Sequence, residues 1–245
     1  MEDRLSRMRL MVGDRALRRL KQAHILVAGC GAVGGYVVEA LARAGVGSLT
    51  IVDNDVVSVS NINRQLVALH STLGQKKVEV MKRRILDIAP DICVNTLDIL
   101  INATSIDTLL ALKPDFVVDA IDSLNPKVCL IEALVKGGIP FVSSMGAALK
   151  TRPELVQVAN MAETSGCPLA AFVRKRLRHR HIPLDFRVVY SPEKPDKACL
   201  HLPDNVKESS RTRHEMGSLP TLTGIFGLTC AQVALDYFIK LIDKK

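Results

Sequence analysis

Gly29, Gly31 and Gly34 form a Gly-x-Gly-x-x-Gly pattern, and Asp53 follows 22 residues after Gly31. The glycines end the apolar run 24–29 and open a helix-like stretch, the setting in which backbone N–H groups approach a phosphate. Asp53 ends a second apolar run, 48–53, where a carboxylate can accept from ribose hydroxyls. The polar chemistry then continues further than a dinucleotide requires. Asn61, Asn63, Arg64 and Gln65 follow at loop spacing, and Lys77 lies near the start of the next helix. "DAIDS" (119–123) puts Asp122 and Ser123 just past another apolar run. An arginine and a lysine suit the β- and γ-phosphates of ATP, and a carboxylate suits the Mg²⁺ that neutralises them. The residues expected to hold ATP are therefore Gly29, Gly31, Ala32, Gly34, Asp53, Asn61, Arg64, Gln65, Lys77, Asp122 and Ser123, with Asp122 as the metal ligand.

The elements that must carry these groups read as alternating strands and helices. Buried strands are expected at 24–29, 48–53, 115–120 and 139–146, with an alternating one at 92–98. Helices are expected at 14–22, from the glycine loop to Gly45, and over 73–90, 105–113 and 125–138. Continuous apolar strands separated by helices predict a doubly wound, mostly parallel α/β sheet of Rossmann type. Beyond 150 the pattern changes to a strand within 154–161, a helix over 168–181, a strand at 186–191 and a C-terminal helix. Leu169, Phe172, Val173 and Leu177 are expected on one side of the 168–181 helix. The whole chain, 1–245, reads as one domain: a nucleotide-binding core of about 14–150 and a C-terminal strand and helix extension of about 151–245. Residues 191–213 hold three prolines and many charges, and are expected to form a mobile loop.

Composition narrows the class. The formal net charge of +8 favours a polyanion such as RNA but says nothing about fold. The six cysteines (30, 93, 129, 167, 199 and 230) are never within thirty residues of one another, which excludes Cys-x-x-Cys zinc pairs. Cys93 and Cys129 read as buried small hydrophobes. The charged N-terminus lacks a signal-peptide core, so a reduced, cytoplasmic protein is expected. Residues 216–235 carry no charge, but Pro220, Gln232, the threonines and the glycines favour a buried helix over stable membrane insertion. "RKRLRHRH" (174–181) is either a solvated helix face or an RNA contact. Hydride transfer would use the same glycine loop, yet none of the six histidines occupies an obvious catalytic strand end. Glycines that serve only close packing, and solvated Arg64 and Lys77, are the bland alternatives.

The stretches "GCGAVGG", "DNDVVSVSNINRQ", "LGQKKVEVMKRRI" and "DAIDS" resemble the adenylating enzymes related to ubiquitin activation, molybdopterin biosynthesis and thiamine biosynthesis. The resemblance implies ribose binding by Asp53, phosphate binding by Arg64 and Lys77, and a metal link at Asp122. It also implies a homodimer, in which an N-terminal arginine reaches the partner's ATP site. Arg7 is the best match and Arg9 is close by. Ala32 stands where the superfamily often has glycine. "SSMGAALKTRPELVQVANMAETSGCPLAAFVRKRL" and "VVYSPEKP" are similar to the tRNA threonylcarbamoyladenosine dehydratase branch. That branch implies ATP-dependent adenylation and cyclisation of threonylcarbamoyladenosine in tRNA, with Arg64, Lys77, Asp122 and Arg7 as the catalytic set and tRNA as the partner. The alternative is adenylation of a ubiquitin-like or sulfur-carrier C-terminus. Whether a sulfur-transfer protein associates stays open. Cys167 at a helix start suggests a thioester role, against a simpler packing role.

Overall fold

The computed structural model describes residues 3–196, 200–201 and 215–240. The chain begins with α1 (Ser6–Gln22), bent at Gly13 (φ 77°, ψ 164°). Strands β1 (His24–Ala28) and β2 (Ser48–Val52) flank α2 (Gly34–Ala44). α3 (Lys77–Ile88) leads to β3 (Cys93–Leu97), and α4 (Ile106–Ala111) to β4 (Phe116–Asp119). α5 (Leu124–Lys136) leads to β5 (Phe141–Ser144). The later elements are β6 (Gln157–Asn160), α6 (Pro168–His179), β7 (Arg187–Tyr190) and α7 (Pro220–Lys240). Two short strands, β8 (Leu200–His201) and β9 (Glu215–Met216), precede α7.

The seven-stranded sheet has the order β3-β2-β1-β4-β5-β7-β6. All neighbours are parallel except β6, which runs antiparallel to β7. The inner strands β1, β2 and β4 are buried almost throughout, as continuous Val, Ile and Leu runs require when helices cover both faces. Leu20, Val37, Leu41, Met81, Ile85, Phe226, Cys230 and Phe238 meet in the larger cluster on one side. Ile106, Leu109, Leu130 and Leu134 pack on the other, and Val173, Leu177 and Phe186 extend the core under α6. The charge-free 216–235 segment supplies most of α7. Among the described residues α7 is the one helix long and apolar enough to cross a bilayer, and 61% of its apolar window is buried in the protein. Its ring contacts with Phe116, through Tyr237 and Phe238, seat it on the sheet as expected.

Four expectations need correction. Cys93 is exposed, because β3 is the outermost strand and has a neighbour on one side only. Cys129 is half-buried. The helix expected from residue 73 starts at Lys77. Gly74 donates to the Val57 carbonyl, Val57 donates to Gln75, and Lys76 bridges Val56 with extended dihedrals, so these backbone groups are already paired outside a helix. On α6, Ala170, Val173 and Leu177 form the buried stripe, whereas Phe172 is 57% exposed. Within the segment expected to be a mobile loop, 191–196 is irregular, and Leu200 and His201 pair with Met216 and Glu215. Residues 197–199 and 202–213 of that loop lie outside the described residues.

Candidate nucleotide site

The chain fills β1, β2 and β3 in one direction, then crosses to β4 and β5 on the other side of β1. The carboxyl ends of β1 and β4 therefore border the crevice where open α/β sheets bind ligands. Gly29 turns the chain there at φ +94°, and its N–H donates to Val52 O (2.7 Å). A Cβ at Gly34 would stand 1.8 Å from Gly29 O, so this glycine lets the helix start against the strand end. Gly31 differs. A Cβ there would meet nothing closer than Gln65 Nε2, at 3.9 Å. Space lies beside it, and packing alone does not require a glycine at that point. No side chain caps α2 at Val33; in its first turn Gly35 N donates back to Gly31 O (3.0 Å) and Val37 N to Val33 O (3.2 Å).

Asp53 sits where the sequence predicts, at the end of β2. Its carboxylate accepts from Cys30 N (2.7 Å) and Asp55 N (2.8 Å), which fixes the group against the glycine loop. Beneath it, the buried Cys30 thiol is pushed up, first by burial and then by the Asp53 charge, partly offset by Lys77. This thiol is a packing group.

The 53–77 segment brings the cations into place. Lys77 opens α3 with its side chain only 5% exposed, and its Nζ donates to Asp55 Oδ2 (2.7 Å). Arg64 folds onto its own turn and donates from Nη1 to Ser60 O (2.8 Å) and Asn63 Oδ1 (2.7 Å). Both Arg64 contacts are local polar acceptors, which an incoming phosphate can replace. Gln65 is buried at 9% exposure, and its Oε1 has no partner. A buried amide oxygen without a donor carries a desolvation cost of about 1–3 kcal/mol, which a ligand donor would remove. Asn61 Oδ1 accepts from Ser58 N (3.1 Å) and so shapes the turn, while Asn63 Nδ2 donates to Ser218 O (3.2 Å).

Across the crevice, Asp122 is exposed just past β4 and accepts from Ser123 Oγ (3.0 Å). Behind it lies a group that the sequence reading missed. Lys127 and Asp119 are both fully buried and pair at 2.7 Å. The same Asp119 oxygen accepts from Ser143 Oγ (2.6 Å), while the other accepts from Ile121 N (3.1 Å). Lys127 Nζ also donates to Ser143 Oγ and Ser144 O. The network ties β4, β5 and α5 together under the 120–123 loop. The one available signal was a lysine eight residues after the aspartate of "DAIDS". Lys150 was also missed. It is buried, donates to the Ser191 and Glu193 carbonyls, and has its pKa lowered by burial.

Arg9 is engaged with Asp3 (2.6 Å) and Asp14 (2.8 Å). Arg7 makes no ion pair among the described residues, and nothing joins it to the crevice of its own chain. Cys167 is 3% exposed and packs with Met145, Ala170 and Val173. Among the described residues no cluster of three or more His, Cys, Asp or Glu side chains forms a metal cage. A metal at this site would rest on one carboxylate and on ligand oxygens.

Comparison with known proteins gives one family. The ThiF family model matches residues 3–244. A tRNA threonylcarbamoyladenosine dehydratase of Bacillus subtilis is 42% identical over 190 residues, 78% of this chain and 75% of that protein. The Escherichia coli protein of the same name is 40% identical over 179 residues, 73% of this chain and 65% of that protein. Crystal structures of the E. coli dehydratase superpose with TM-scores of 0.87 in complex with AMP and 0.88 in complex with ATP. Both are 32% identical and cover 99% of this chain and 96% of theirs. The chain belongs to the ThiF family, among relatives named tRNA threonylcarbamoyladenosine dehydratase.

Proposed function

We propose that this protein is an ATP-dependent adenylating enzyme that cyclises threonylcarbamoyladenosine in tRNA with net loss of water. The observation that carries the reading is the crevice itself. Arg64 and Lys77 each hold exchangeable polar partners, Gln65 Nε2 lies beside the open face of Gly31, and Gln65 Oε1 is unpartnered, which supports a nucleotide among them. The relatives with this name, and the ATP and AMP complexes of one of them, support the same assignment.

In this reading Asp53 accepts from the ribose, and the first turn of α2 meets the phosphates. A carboxylate oxygen of the modification attacks the α-phosphate, and pyrophosphate leaves. A nucleophile within the modification then attacks the activated carbonyl, closes the ring and releases AMP, which carries away the carboxylate oxygen. Arg64 and Lys77 stabilise negative charge on the departing pyrophosphate. Ring closure is intramolecular, so proximity supplies much of the rate. Asp122 would hold Mg²⁺ together with phosphate oxygens. Such an ion needs only one or two carboxylates in nucleotide sites, and it supplies charge neutralisation.

We read 1–245 as one adenylating unit working in the cytosol as a homodimer. Leu10 and Met11 on α1 are 88% and 84% exposed, which suits burial against a second copy. Arg7 lies on the same helix and would enter the partner's crevice. The test is nucleoside mass analysis after incubation with ATP, Mg²⁺ and tRNA carrying threonylcarbamoyladenosine. Loss of one water is expected. No change with folded protein, together with ATP–pyrophosphate exchange stimulated by a carrier protein, would overturn the reading in favour of carrier adenylation.

A further inference from the structure

α6 carries an unusual outer face. Phe172, Lys175, Arg176 and His179 recur at i, i+3, i+4 and i+7, so they form one stripe along the helix. All four are exposed, Arg178 flanks them, and among the described residues Phe172 is the one exposed aromatic. Lys175, Arg176 and Arg178 form no ion pair among the described residues, and no carboxylate occurs between Glu163 and Asp185. The neighbouring cations are already engaged: Arg174 bonds Thr164, and Arg180 pairs with Glu132 at 2.5 Å. The helix dipole favours cations in the last turn. It does not account for Lys175, nor for an exposed phenyl ring one turn earlier.

The stripe also has a direction. Gly146, just past the carboxyl end of β5, abuts Cys167 and Leu169 at the start of α6. The start of α6 therefore lies against the carboxyl end of β5, the neighbour of β4, and from Phe172 the cations run on toward the helix C-terminus over about 10 Å of helix. An adenosine whose modified base must enter an ATP site cannot be paired, so it belongs to a single-stranded loop. Loop bases stack on aromatic rings, and Arg and Lys contact the backbone beside them.

We propose that this face of α6 docks the substrate tRNA, with Phe172 stacking on an unpaired base next to the modified adenosine and Lys175, Arg176 and Arg178 on phosphates. The inference rests on the tRNA reading above. The test measures binding of the full-length protein to tRNA carrying threonylcarbamoyladenosine, without ATP, across a salt series. Replacing the three cations together by alanine should reduce the log–log salt slope by about 2, since each phosphate contact contributes about 0.7–0.9. Phe172→Ala should weaken binding on the order of tenfold at unchanged slope, and Phe172→Tyr should restore it. A control set, Arg18→Ala, Lys21→Ala and Lys113→Ala, should leave the slope in place. Retained ATP binding reports that each variant is folded.

Unchanged slope and affinity in the triple variant would overturn the proposal. So would lost dehydration at unchanged RNA affinity, which would assign the face to a protein partner. Should the wild-type protein bind tRNA but fail to dehydrate it, the proposed function falls, while the binding series still decides the role of this face.

Discussion

Two lysine–aspartate pairs of the same 2.7 Å length flank the crevice, and they do different work. Lys77 is enclosed but faces an Asp55 side chain that is 62% exposed. Lys127 and Asp119 are both at 0% exposure, with their remaining polar atoms met by Ser143, Ser144 and Ile121. A lysine whose counter-ion is hydrated can exchange it for a phosphate at little cost. A lysine sealed with its counter-ion cannot, because leaving one buried charge alone costs several kcal/mol. The distance between the charges is uninformative, and access to water is what would separate a phosphate-binding lysine from a scaffold one.

The largest effect expected from this contrast is on stability. Lys127→Ala strands the buried Asp119 and should lower the unfolding free energy by about 3–5 kcal/mol in denaturant titration. Lys127→Met with Asp119→Leu should recover most of that loss. If the single variant is as stable as wild type, the two pairs are not different in kind. Next comes Lys77→Ala, which leaves Asp55 in water. Its stability cost should stay near 1 kcal/mol, while dehydration of tRNA should fall about 10²–10³-fold, the usual loss for one charge-stabilising donor.

Mixing Arg7→Ala with Lys77→Ala protein should restore part of the activity if Arg7 acts across a dimer, and none if it acts within its own chain. A smaller effect is expected at Gly31. Gly31→Ala has room to fold, so its melting temperature should hold while KM for ATP rises about tenfold, the scale of ~1.4 kcal/mol. Gly34→Ala, whose Cβ would meet Gly29 O, should instead lose stability. The smallest effect is expected at Glu132, which Lys136 and then Arg180 hold below its ordinary value of 4.5. A depressed carboxylate stabilises the fold above its unfolded pKa, and that contribution fades as pH falls through the folded value. Glu132→Gln should therefore cost a few tenths of a kcal/mol at neutral pH, and the difference from wild type should vanish in acid.

What could be seen in the sequence follows from how local each signal is. The glycine loop, Asp53 and the buried strands are written in contiguous residues, because a strand covered on both faces must be apolar throughout. The place of Asp122, just past such a strand, is legible for the same reason. Lys127 was not. Its partner lies on the preceding strand, and an isolated lysine in a helix's first turn looks the same whether solvated or sealed. Cys93 was misplaced because exposure at a sheet edge depends on strand order, which no single segment records. The start of α3 was misplaced because residues 74–76 pair with Val56 and Val57 across the intervening turn. Phe172 groups with Leu169, Val173 and Leu177 in the sequence because hydrophobicity alone does not separate the buried stripe of α6 from its neighbour.

The grip of Asp119 on Ile121 has a kinetic meaning. One oxygen holds the backbone of the short turn that presents Asp122, and the other is clamped by Lys127 and Ser143. In the proposed reaction, a turn held in this way is set once, when the chain folds, and need not be reassembled at every cycle. Reorganisation that a flexible loop would repeat with each nucleotide is thereby removed from the barrier.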